Sequence, residues 1–130
     1  MHIVLPLVIG VVLALLLIRF ARTRGGLGAR RIYAIGLFVT ALLYVLLAAI
    51  GGATREWLAI EGLGVLIYGS AAWIGVRRWP RALALGWAAH VLWDLLLHLN
   101  GPAALYTPDW WPWFCLSFDL IVAGAVFQDE

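Results

Sequence analysis

The stretch GWAAHVLWDLLLHLN, residues 86–100, is apolar enough to cross a lipid bilayer and yet carries His90, Asp94 and His98 at four-residue intervals. On an α-helix each such step turns the chain by about 40° beyond a full circle, so the three side chains line one stripe about two turns long. Ionisable groups cost several kcal/mol at membrane depth and face a bundle interior with partners rather than lipid. This stripe therefore predicts a polar site inside a membrane protein.

The rest of the chain agrees. Its 130 residues are 65% hydrophobic, and all nine basic residues are arginines. Apolar surface on that scale takes lipid as its solvent, which excludes an aqueous globular domain. Residues 3–20, 32–51, 58–76, 82–99 and 111–127 each approach the length needed to span a hydrocarbon core of about 30 Å. The reading is an all-α, polytopic membrane protein: a single integral domain over 1–130, built as a five-helix transmembrane bundle. The first segment has no basic residue before it and no small-x-small cleavage signal after it, so it reads as a retained anchor.

Arginine placement gives orientation. Arg19, Arg22, Arg24, Arg30 and Arg31 flank the first connection and Arg77, Arg78 and Arg81 the third, whereas the second has only Arg55 and the fourth none. The positive-inside rule puts the first and third connections in the cytoplasm, the N-terminus outside and the C-terminus inside a cell membrane. The positive charge is spent on topology and on anionic lipid, so it argues against a nucleic-acid partner. Trp57, Trp79, Trp110, Trp111 and Trp113 fall at predicted helix ends, where indoles favour the interface. Cys115 stands alone, so no intrachain disulfide forms. The segment 21–31, with Gly25, Gly26 and Gly28, reads as a flexible cytoplasmic turn; it lacks the strand and the lysine-serine pair of a phosphate loop.

This topology assigns depths. His98 lies near the outer surface, Asp94 about 6 Å deeper and His90 about 6 Å deeper again, while Cys115 and Asp119 descend from the same surface by roughly one and two turns. Glu61 sits in the first turn of the third span. Acid, imidazole and thiol on three helices thus share the outer half of the bilayer, which implies a common cavity opening outward. Trp87 and Trp93 are candidates to wall that pocket. The loop 100–112, with its prolines, Tyr106, Trp110 and Trp111, is a candidate lid.

Several chemistries fit these residue types. His90, Asp94, His98, Glu61 and Asp119 are candidate ligands for zinc or another transition metal, with Asp94 also able to orient a histidine. Without metal, His90, Asp94 and His98 are candidate catalytic acid/base groups, because burial and a neighbouring imidazolium pull a carboxylate in opposite directions. A proton or ion pathway is weakened by the sparse inner half, where Tyr68, Ser70 and Thr40 are the main polar residues. A purely structural hydrogen-bonded plug gains only about 1 kcal/mol per contact. Cys115 alone reads as a small buried hydrophobe and Glu61 alone as a snorkelling interfacial acid. Ala71 and Gly75 form a small-xxx-small pair suited to close helix packing or a homodimer contact.

The run GWAAHVLWDLLLHLNGP followed by FCLSFDLIVAGAVF resembles the small bacterial membrane proteins grouped as domain-of-unknown-function family 6010, over the C-terminal half. Gly86, Trp87, His90, Trp93, Asp94, His98, Gly101, Cys115 and Asp119 stand at the places the resemblance implies, with Glu61 matching an acidic position before them. Leu97 departs from a double histidine in that pattern. The resemblance implies a helical membrane protein and supplies no mechanism. The expectation is an intramembrane site for metal or acid/base chemistry on a small lipophilic substrate. The alternatives are a protein that binds or transports an ion, cofactor or small molecule, and an accessory subunit of a membrane complex.

Overall fold

The computed structural model describes residues 2–99 and 101–129, so Met1, Asn100 and Glu130, at the domain ends, in the predicted lid loop and in the C-terminal tail, lie outside the described residues. Five helices are long and apolar enough to cross a membrane. They are α1 (Val4–Arg24), α2 (Gly26–Ile50), α3 (Arg55–Arg77), α4 (Arg81–Trp93) and α5 (Trp111–Gln128). Past Trp93 the fourth helix continues as a π-helix, Asp94–Leu99, and a short 3-10 turn, Pro102–Leu105, leads toward α5. The chain is thus an all-α, five-helix transmembrane bundle.

Alanines and glycines supply much of the interior, and many large aliphatic residues face outward. Ala14, Ala21, Ala41, Ala48 and Ala72 are buried, whereas Leu5, Leu66 and Leu96 are more than half exposed. That inversion is what lipid requires: close backbone approach holds the helices together, and leucine is at ease among acyl chains. On α1 the buried positions are Pro6, Gly10, Ala14, Ile18 and Ala21, one face of the helix. Gly10 on that face lies against the α5 backbone, with no room for a Cβ.

The helices pack in chain order, α1 against α2, α2 against α3, α3 against α4 and α4 against α5, and α1 also packs on α5 to close the ring. The fourth span also touches α2 and is the most deeply enclosed. Gly86 permits this, because a Cβ there would stand 2.7 Å from Leu37 Cδ2 and 3.2 Å from the Ala71 Cβ.

Two expectations about the elements are corrected. Residues 21–31 are not a flexible turn: α1 runs on to Arg24 and α2 begins at Gly26, leaving Gly25 as the single break. Gly25 and Gly26 have φ of 60° and 45°, so the reversal is made by two left-handed glycines while the arginines ride on regular helix. The fourth span is also not uniformly α-helical. Hydrogen bonds five residues apart over 94–99 widen the turn and reset the direction in which His98 points.

The ends of the bundle differ. At one end Arg22 donates to Asp129 at 3.0 Å and Tyr33 to the same carboxylate at 3.1 Å, next to the α1–α2 reversal. At the other end Tyr106 packs against Gly51, and Thr54 caps α3 by accepting from the Trp57 amide at 3.3 Å. The span order therefore alternates, with the arginine-rich connections gathered at one end.

Candidate functional site

The polar residues singled out from the sequence meet in the half of the bundle away from the arginine-rich end. His90, Asp94 and Asp119 have no exposed surface, and Glu61 and His98 have 1%. They form two nodes joined by a tyrosine.

The deeper node lies between α4 and α5. His90 Nδ1 stands 2.7 Å from Asp119 Oδ2 and 3.5 Å from Asp94 Oδ1. Tyr44, from α2, donates its hydroxyl to Asp94 Oδ1. One potential ligand atom from each of His90, Asp94 and Asp119 lies within 4.8 Å of the others. Each of the three also retains one buried atom with no hydrogen-bond partner: His90 Nε2, Asp94 Oδ2 and Asp119 Oδ1.

The shallower node centres on Glu61. Its Oε2 faces His98 Nε2 at 2.5 Å and accepts from the Tyr106 hydroxyl at 2.6 Å, and its Oε1 accepts from Trp93 Nε1 at 3.0 Å. His98 Nδ1 faces the Trp93 carbonyl at 3.3 Å. A carbonyl only accepts, so Nδ1 carries a proton. Glu61 thus meets Trp93 on one carboxyl oxygen and both His98 and Tyr106 on the other. The Tyr106 hydroxyl, in the connection outside the spans, is held above its ordinary pKa by burial and then by the Glu61 carboxylate, so it remains a neutral donor.

The shallower node pairs one carboxyl with one imidazole, whereas the deeper one sets two carboxyls, Asp94 and Asp119, against the single imidazole of His90. With both carboxyls ionised, protonating His90 would still leave one negative charge. Among the described residues no arginine takes part in either node, since the salt-bridged arginine is Arg22 at the far end. Such a charge held away from water needs a proton or a cation.

Tyr44 ties the nodes together. Its ring stacks on His98 with centroids 3.7 Å apart and lies 5.5 Å from the His90 ring. Tyr68 sets its ring edge-on to His90 at 4.8 Å and donates its hydroxyl to the Ala89 carbonyl. Sequence reasoning missed Tyr44 altogether and placed Tyr68 with the inner half. The available signal was a lone hydroxyl in the apolar run ALLYVLLAAI, at a depth in the second span that matches Asp94.

The other singled-out residues divide. Trp93 belongs to the shallower node through Glu61. Trp87 does not join the cluster: its Nε1 donates to the Tyr33 carbonyl at 3.2 Å and its ring fills space beside Gly36 and Phe118. Cys115 is buried on α5, one turn from Asp119. Tyr44 stands between the two nodes, with its ring on His98 and its hydroxyl on Asp94, in the region where the sequence implies an outward-opening cavity. A cleft of about 230 Å³ does lie at that end, lined by Gly51, Thr54, Trp57, Leu105 and Tyr106, and Tyr106 forms its inner wall toward Glu61.

Fold and site define a class, that of a polytopic helical membrane protein with a buried acid–imidazole centre. The sequence profile of a family of unknown function, DUF6010, matches residues 1–129, and the chain belongs to that family. The match covers all five helices, beyond the C-terminal half that carries the evident motifs. No similar protein was found among curated proteins or among solved structures.

Proposed function

We propose that this membrane protein holds a divalent first-row transition metal such as zinc at His90, Asp94 and Asp119, and uses the site on a small lipophilic substrate. The observation that carries the reading is the gathering of two carboxyls and one imidazole, all fully buried, with one potential ligand atom from each within 4.8 Å of the others and one further polar atom of each side chain unpartnered. Nitrogen and carboxylate oxygen are donors suited to such an ion, which binds them at about 2.0–2.2 Å. When bound, the ion would supply Lewis acidity.

The protein's own residues set the frame. Asp119 and Asp94 both face His90 Nδ1, Tyr44 holds Asp94, and the Glu61–His98 pair closes the approach from the arginine-poor end. By the positive-inside rule that end is extracytoplasmic. A metal-free acid/base centre is the second reading, favoured by the ordinary hydrogen-bond length between His90 and Asp119.

Metal analysis of protein purified in detergent without chelators, followed by Co²⁺ titration monitored by visible absorption, separates the two. One ion per chain is expected, with binding lost in Asp94→Asn and Asp119→Asn. Absence of saturable Co²⁺ binding, or equal binding in the double variant, defeats the metal reading and leaves the acid/base one.

A further inference from the structure

We propose that the outer face between α2 and α3 is a binding site for one anionic phospholipid, its acyl chain lying in an apolar groove and its phosphate held by Arg31 and Arg77. Two overlapping clefts of about 440 and 330 Å³ run along this face and share Phe38, Gly69 and Trp73. Leu66 lines the deep part of the groove, and Arg31 with Arg77 lines the end at the arginine-rich surface.

The dimensions suit one fatty chain. Leu66 to Arg77 is eleven residues of α3, roughly 16 Å along the axis, so the groove descends from the headgroup level to about the middle of the bilayer. Gly69 lets the Phe38 ring lie close on α3, since even a Cβ there would stand 3.2 Å from it, and both residues line the groove. Trp73 is 57% exposed at the groove's edge, a rigid indole wall against which a chain can lie.

Charge selects the headgroup. Arg31 and Arg77 are both exposed, and the salt-bridged arginine among the described residues is Arg22. Two unneutralised guanidiniums at the mouth of an apolar channel complement a phosphodiester with a net negative charge and gain little from a zwitterion. A second copy of the chain would have to present both an apolar ridge and an acidic group at that depth. Of the acids in the described spans, Glu61, Asp94 and Asp119 are buried and the exposed Glu56 lies at the opposite end of α3, while Asp129 at the arginine-rich end is paired with Arg22.

The test is native mass spectrometry of the full chain in detergent with added palmitoyl-oleoyl phosphatidylglycerol or the phosphatidylcholine of the same chains. The anionic lipid is expected to be retained at about tenfold lower concentration or less, as two surface arginines imply. Arg31→Gln/Arg77→Gln should level the two lipids, and Ser70→Phe, which fills the groove from an exposed position, should release both. In intact bilayers, brominated phosphatidylglycerol should quench Trp73 more than brominated phosphatidylcholine, with Trp73→Phe as the control. Equal retention of the two lipids, an unchanged preference in the arginine variant, or equal quenching overturns the proposal. Efficient cross-linking between copies through Ser70→Cys would also overturn it, by giving the face to a dimer.

Discussion

Replacing Glu61 by alanine removes the acceptor for three donors at once: His98 Nε2, Trp93 Nε1 and the Tyr106 hydroxyl. The Tyr106 hydroxyl borders the outer cleft and can turn to water, so its loss costs little. The His98 and Trp93 groups stay enclosed, and each orphaned buried donor costs about 1–3 kcal/mol. Water drawn into the space left by the carboxylate recovers part of this, so a net loss of about 3 kcal/mol is expected, roughly two decades in the unfolding equilibrium. Reversible unfolding in mixed micelles, followed by tryptophan fluorescence, measures it. Glu61→Gln keeps one acceptor and should recover about half of the loss, and Tyr106→Phe should cost about 1 kcal/mol or less. A Glu61→Ala protein within about 0.5 kcal/mol of the parent would refute the reasoning, because only a snorkelling, hydrated acid is so cheap to remove.

Three further outcomes follow from the same geometry. Tyr44→Phe keeps the ring stacked on His98 but frees Asp94 Oδ1, and should weaken Co²⁺ binding about tenfold in the absorption titration, the usual effect of losing a group that orients a ligand. Gly86→Ala forces a methyl against Leu37 and Ala71 and should destabilise the bundle by about 1–3 kcal/mol in the micelle unfolding assay. Trp87→Phe loses the bond to the Tyr33 carbonyl and should cost about 1 kcal/mol while Co²⁺ affinity stays unchanged, since Trp87 lies outside the centre.

Much of the fold was legible because lipid imposes a simple rule: five apolar runs of spanning length, with arginines gathered at alternate connections. The helix ends were less so. Backbone hydrogen bonding carries α1 past its apolar run to Arg24 and starts α2 at Gly26, and only the left-handed glycines mark the break. Within the site, the four-residue spacing of His90, Asp94 and His98 identified the right stripe. Partner choice was not written in that spacing. Glu61 reads equally as a surface acid or a buried one, and packing of α3 against α4 decides it. Tyr44 escaped because one tyrosine in an apolar span is ordinary until its neighbours in space are known. The division into a node with one carboxyl per imidazole and a node with two depends on which carboxyl meets which imidazole, a tertiary fact.

The wide turn at Asp94–Leu99 has a consequence for how the chain tolerates change. A π-helix stores a surplus residue inside an otherwise regular rod, so deleting any one of Leu95, Leu96 or Leu97 lets the backbone rewind to the tighter pitch without shortening the span by more than a fraction of a turn. Such a chain would keep its apolar face and its place in the ring, yet rotate the imidazole of His98 off the Tyr44 ring and away from Glu61. Residue count in this segment is thereby constrained by the aim of one side chain.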